Sequence, residues 1–238
     1  MDPAQFKWYL YVSIGSPLLL AFVAFFGEAI WRWIRRPKLE ALVDFSPPYC
    51  KITPIINTQT GETVARAYYF TFSVKNIGRT SAKWAEVFAK KLKREKRDGT
   101  YEIVGLFPPG NLLVSDTRDI RCPFINPNAA RSFTVFHVTE PSKRNSALLV
   151  SVEDDNRDDI IPGKAIIHFD IISKSTNKGY LQPPAKYQME IEISAENAKA
   201  RIETFEIDLA GDWFDEEERM FREGVAFKLL NNKHDVGY

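Results

Sequence analysis

Residues 8–26, WYLYVSIGSPLLLAFVAFF, contain no charged side chain. As an α-helix these residues span roughly 28 Å, close to the hydrocarbon thickness of a bilayer. Trp8, Tyr9 and Tyr11 stand at one end and Trp31 and Trp33 at the other. Indole and phenol rings favour the headgroup boundary, so this is the expected aromatic belt. Pro17 falls mid-run, with Ser13 and Ser16 in reach of a freed carbonyl. A cleaved signal peptide has a shorter apolar core and a small-x-small cleavage site, and Phe25-Phe26-Gly27-Glu28 offers none. A buried core helix keeps a polar face, which this run lacks. A lipoprotein anchor needs a cysteine near the end of the run, and none is there. The expectation is one membrane-spanning helix within residues 1–38, with the lipid bilayer as its first partner.

Flanking charge orients such a helix. Lys7 is the one basic residue before the run, whereas Arg32, Arg35, Arg36 and Lys38 follow it. Basic residues stay on the cytoplasmic side. The sequence therefore predicts a single-pass protein of the cell membrane with a cytoplasmic C-terminal domain. Trp8, Tyr9, Trp31, Trp33, Arg32, Arg35 and Arg36 are the predicted interface residues, and the basic stretch suits anionic headgroups. Glu28 reads as an interfacial carboxylate paired with Arg32 four residues on.

Pro37 ends the helical pattern. Beyond it come short runs rich in β-branched and aromatic residues, separated by turn residues. Ala65–Val74 is the strongest, with Tyr68, Phe70 and Phe72 on one face. Leu39–Phe45 alternates in part. Trp84–Lys93 and Thr100–Leu106 predict a hairpin around Asp98-Gly99. Arg131–Val138, Leu148–Val152, Lys164–Ile172, Tyr187–Ser194 and Arg201–Leu209 complete about eight or nine strands with no helices between them, the pattern of an antiparallel sandwich. The expected organisation is an anchor over 1–38, a mainly β sandwich over 39–212, and a short C-terminal helix and tail over 213–238. That helix would begin at Asp215, with Glu218 completing a capping box, and would pack Met220, Phe221, Val225 and Phe227 on the sheet.

Val74-Lys75-Asn76-Ile77-Gly78, with Ala82 and Val87 after it, resembles the strand-turn-strand of bacterial immunoglobulin-like modules. Ile125-Asn126-Pro127 ahead of Phe133-Thr134-Val135 resembles the turn before a later strand of those modules, with Asn128 where glycine is often found. The resemblance implies an immunoglobulin-like sandwich that binds or spaces other molecules. It carries over no functional residues.

Net charge is +1, but five basic against two acidic groups lie in residues 1–38, and 27 against 29 in the remaining 200. A near-neutral globular part lacks the field that gathers nucleic acid, so a nucleic-acid partner is not expected. Cys50 and Cys122 form no C-x-x-C pair and read as two reduced thiols. His137, His168 and His234 have no partners at metal-ligand spacing. His137 is expected on the face of Phe133 and Val135, and His168 on that of Ile166 and Asp170. G-x-S-x-G, H-E-x-x-H, P-loop and G-x-G-x-x-G patterns are all absent.

Two charged runs remain. Asp154, Asn156 and Asp158 are spaced like the first ligands of a calcium loop. Asp159 replaces the required glycine, and Ala165 stands at the glutamate position, so a solvated turn is the simpler reading and no metal or cofactor is expected. Lys90, Lys91, Lys93, Arg94, Lys96 and Arg97 put six cations in eight residues. They read as a solvated hairpin end guarding an edge strand, or as a site for anionic lipid or a nucleotide. The Gly211-Asp212-Trp213-Phe214 junction reads as a plug sealing the domain's end.

The functional expectation is a membrane-tethered, non-enzymatic binding or scaffolding module with a protein partner or self-association. Its alternatives are a sensor of a nucleotide-like or anionic lipid ligand, and a hydrolase with dispersed residues.

Overall fold

Tyr68, Phe70, Phe72 and Val74 alternate along one strand, β3 (Thr63–Asn76), and all four are fully buried. In a computed structural model that describes residues 16–47, 49–57, 59–144, 159–172 and 178–230, this strand is the spine of one of two antiparallel sheets. The first sheet runs β1 (Leu39–Leu42), β3, β9 (Ala130–Thr139), β10 (Ile167–Phe169), β11 (Leu181–Gln182). In it β2 (Cys50–Ile56) also pairs with β3, and β7 (Leu113–Val114) with β9. The second runs β14 (Val225–Leu230), β13 (Ala198–Leu209), β12 (Lys186–Ala195), β4 (Ala82–Glu95), β5 (Tyr101–Ile103). There β6 (Gly110–Asn111) and β8 (Arg121–Ile125) also pair with β4. The molecule is thus mainly β.

The core lies between the sheets. Tyr187, Met189, Ile191 and Ile193 point inward from β12 by strict alternation, as do Phe205, Ile207 and Leu209 from β13. Phe72 meets Phe205 edge to face at 4.8 Å between ring centroids, and Phe136 meets Phe227 at 5.5 Å. These aromatic pairs join the layers, and each adds about 1 kcal/mol to its area burial.

Several sequence expectations change here. The helix from Asp215 is one turn, Glu217–Arg219, running into a π turn, Met220–Gly224. Val225 and Phe227 belong instead to β14, which pairs with β13 and places Phe227 in the core. Asp215 caps nothing: it accepts hydrogen bonds from Arg66 at 2.7 Å and Trp213 at 2.9 Å. Strands β2 and β8 were not expected because Pro54 and Pro123 interrupt them. Among the described residues each of these strands pairs with one neighbour, and on the open side a missing N–H is tolerated. Leu148–Val152 lies outside the described residues. The Asp98-Gly99 hairpin forms between β4 and β5 with Gly99 at φ +80°. At the junction read as a plug, the Tyr68 ring packs at a tilt against Trp213, 4.9 Å between centroids, and its hydroxyl donates to the Phe214 carbonyl.

Before the sandwich stands helix α1 (Ser16–Arg35), 20 residues. Phe22, Val23, Phe25, Phe26, Ile30, Trp31 and Ile34 are all exposed on it. Among the described residues no helix is long and apolar enough to cross a membrane. The first half of the apolar run, to Gly15, lies outside them, and α1 carries Glu28, Arg32 and Arg35 further on.

Candidate functional site

A bulge creates the site. Opposite Phe70 and Thr71, β9 supplies Phe136 and Thr134, so Val135 is an extra residue. Phe133 and Phe136 therefore both face the core, and His137 turns to the outer face of the first sheet. This corrects the expectation that His137 shares a face with Phe133.

On that outer face Tyr69, His137 and His168 are register partners on adjacent strands. Their rings form a continuous ladder: Tyr69 to His137 at 4.9 Å, His137 to His168 at 4.3 Å, His168 to Tyr180 at 5.1 Å. Asp170, one residue past β10, sets its carboxylate on His137 Nδ1 at 2.9 and 3.1 Å. Burial works against the Asp170 charge, but the His137 ring, then His168 and Arg118, hold its carboxyl below the ordinary 3.8. Burial and the neighbouring His137 push His168 from 6.5 down to about 3, against Asp170. His168 is thus neutral at physiological pH, and its buried Nδ1 has no hydrogen-bond partner among the described residues. Burial, then Asp170, raises the Tyr69 hydroxyl, with Arg118 opposing.

Beside the ladder the outer face opens into a groove of about 620 Å³. Its floor is Tyr69, Thr71, Ser132 and Thr134; β2 forms one wall, and the turn after β7 forms the other. Hydroxyls thread the floor: Thr71 donates to the Tyr49 carbonyl at 2.8 Å, and Ser115 meets Thr134 at 3.1 Å. Lys51, Arg118 and Arg131 line the groove against Asp116 and Asp170. None of these three cations forms an ion pair among the described residues, and Asp170 is committed to His137. Arg118 sits at φ 59°, a conformation uncommon for a non-glycine residue. An aspartate-oriented imidazole is able to move a proton. Yet among the described residues no hydroxyl or thiol is hydrogen-bonded to either histidine ring, so the arrangement suits binding better than nucleophilic chemistry.

The residues singled out by sequence fall elsewhere. Lys90, Lys91, Lys93 and Arg94 lie on β4, an interior strand flanked by β12 and β5 and not an edge, while Lys96 and Arg97 lie in the β4–β5 turn, at the expected hairpin end. A bulge at Lys90 turns Lys90 and Lys91 outward together. They pair with Glu192 at 3.0 Å and Glu190 at 2.9 Å, while Arg94 reaches Asp159 at 3.8 Å and Lys96 reaches Glu102 at 3.2 Å. Lys93 and Arg97 form no ion pair among the described residues. Four of the six cations are thus answered by carboxylates. At the helix end Arg35 lies over the Trp31 ring at 3.9 Å and Arg36 is half-buried. Trp8 and Tyr9 lie outside the described residues, as do the side chains of Arg32 and Trp33, and Asp154, Asn156 and Asp158. Among the described residues no group of three His, Cys, Asp or Glu side chains is arranged to hold a metal ion.

Sequence reasoning missed the ladder because Tyr69, His137 and His168 come from three strands whose register depends on the Val135 bulge, and Tyr180 from the turn before β11. The only linear trace is a tyrosine or histidine at an outward position of each strand. Comparison with protein-family models, with curated proteins and with solved structures finds no match for the chain.

Proposed function

We propose that this chain is a membrane-tethered, non-enzymatic binding module whose sandwich receives a small anionic ligand in the groove on its outer face. The observation that carries the reading is the groove itself: about 620 Å³, with Lys51, Arg118 and Arg131 around a hydroxyl-rich floor. Pockets of this size accommodate drug-sized molecules, and the cations suit a phosphate or carboxylate. The reading takes the nucleotide-like ligand of the alternative sequence reading and moves it from the basic run to the groove.

Support for the tether comes from α1. Its exposed apolar side chains include Phe25 at 81% and Val23 at 56%, a surface that water does not tolerate uncovered. A bilayer covering α1 and the apolar residues before it satisfies both. An immunoglobulin-like character for the sandwich belongs to the same reading. It rests on the Asn76 turn and on Asn128, which takes the left-handed conformation, φ 62°, expected of a glycine there.

The test is calorimetric titration of the full chain in detergent micelles with inorganic phosphate, adenine and guanine nucleotides, and citrate. Saturable binding to at least one of these is expected, lost in Lys51→Glu with Arg131→Glu and kept in Lys91→Ala. If none binds, or if the groove variant binds as the parent does, the reading fails.

A further inference from the structure

We infer that the end of the sandwich nearest helix α1 is itself a membrane-docking surface, seated on anionic headgroups through Ile77, Trp84 and Phe124 and a surrounding set of cations. The inference rests on the tether proposed above and adds to it a second contact that fixes how the domain stands on the bilayer.

The helix exit is built into this end. Arg35 gives its carbonyl to the Thr80 hydroxyl at 2.8 Å, and Lys38 gives its carbonyl to the Ile77 N–H at 2.8 Å. Asn76, fully buried, organises the rest. Its Oδ1 accepts from Lys38 N and Gly78 N, and its Nδ2 donates to the Thr80 and Ile125 carbonyls. Gly78 lies so close that an added Cβ would come within 2.6 Å of Pro37 Cα. The turn after β12 joins through Asn197, which accepts from Lys83 N at 3.0 Å and donates to the Ser81 carbonyl. Three turns and the end of α1 thus share one hydrogen-bonded surface.

That surface is apolar at its tips and basic around them. Ile77, Trp84 and Phe124 are 47%, 46% and 55% exposed. Trp84 is held at φ 52°, a costly conformation for an aromatic residue. Lys83 lies opposite Phe124 in the β4–β8 register. Exposed Lys38, Arg79 and Lys83 surround the tips, against one exposed carboxylate, Glu196, in the adjoining turn. Tryptophan prefers the interface, and cations near an anionic leaflet each add attraction. The same combination, Trp31 beneath Arg35, stands on the last turns of α1. Continuity with the helix and the sign of the charge select a lipid surface as the occupant.

The test uses the full chain with an environment-sensitive fluorophore on Ile77→Cys. Cys50 and Cys122 are buried and leave the introduced thiol as the reactive one. The reference label is on Arg97→Cys, beyond the far end of β4, whose 14 residues put it about 45 Å away. Vesicles are phosphatidylcholine with or without phosphatidylserine, carrying a spin-labelled quencher lipid. Expected are co-flotation with vesicles, quenching at position 77 that exceeds that at 97, and an increase with phosphatidylserine. Arg79→Glu with Lys83→Glu should lower docking on anionic vesicles roughly tenfold while co-flotation persists. Co-flotation with equal quenching at 77 and 97 overturns the docking alone. Quenching at 77 indifferent to phosphatidylserine overturns the anionic partner. A chain that does not float with vesicles overturns the tether and the docking together.

Discussion

His168 occupies a position in which a proton is unwelcome: its ring packs at a tilt between those of His137 and Tyr180, and burial, then the neighbouring His137, push it down to about 3. The folded value lies below the unfolded 6.5, so above pH 6.5 neither state takes up the proton and stability is whole. As pH falls from 6.5 toward 3 the unfolded chain binds a proton that the folded chain refuses, and stability drops by about 1.4 kcal/mol per pH unit from this group. Asp170, held below its ordinary 3.8, adds a loss of the same sign at the acid end. Unfolding free energies from urea titrations at pH 7 and pH 5 should therefore differ by about 2 kcal/mol more in the parent than in His168→Phe, which keeps an aromatic ring in the ladder. Parallel decline in the two proteins would show that His168 does not titrate as its surroundings dictate. No sequence pattern announces this group, because its burial depends on partners from other strands. Asn76 is the opposite case: the N-x-G turn was legible, since an Asn side chain bonding the N–H two residues on is a local device, and Asn76 Oδ1 meets Gly78 N at 2.9 Å.

Strands that alternate strictly were legible, and elements whose pattern is short were not. Strands β3, β12 and β13 hold three or more inward side chains each, enough to set the period at two. Strand β14 buries only Val225 and Phe227 fully, with Leu229 half-buried against the core, and with Met220 and Phe221 just before them the spacing read equally well as helical. Tertiary packing decided it, because the Phe227 ring is needed between Phe136 and Phe205. Phe227→Ala should cost about 4 kcal/mol in chemical unfolding. Lys91→Ala should cost less than about 1 kcal/mol, since its pair with Glu190 is part-exposed and screened. A Phe227→Ala protein as stable as the parent would place β14 outside the cooperative core. The basic run was legible as charge and illegible as context. Whether six cations are free depends on which strand lies alongside, and here β12 brings Glu190 and Glu192.

At the level of the molecule, composition and turn spacing gave two β layers, while strand order did not follow from them, because pairing is set by contacts between residues far apart in the chain. The pairing of β2 with the first sheet and β8 with the second puts Cys50 and Cys122 in opposite layers, both buried and free. Burial, opposed by a hydrogen bond with Thr71 and aided by Asp44, pushes the Cys50 thiol up to about 12, so little thiolate exists to react at neutral pH. Native chain should thus resist an impermeant maleimide before and after permeabilisation, and neither result on the natural cysteines reports which side of the membrane the domain occupies. Arg97 supplies the needed reporter: it is exposed in the β4–β5 turn and pairs with no carboxylate among the described residues. The four basic residues after the apolar run against one before it favour retention of the domain in the cytoplasm. Arg97→Cys should accordingly label only once cells are permeabilised. Labelling in intact cells would reverse the orientation and place the groove and its cations outside the cell, where the ligand would have to be an extracellular anion.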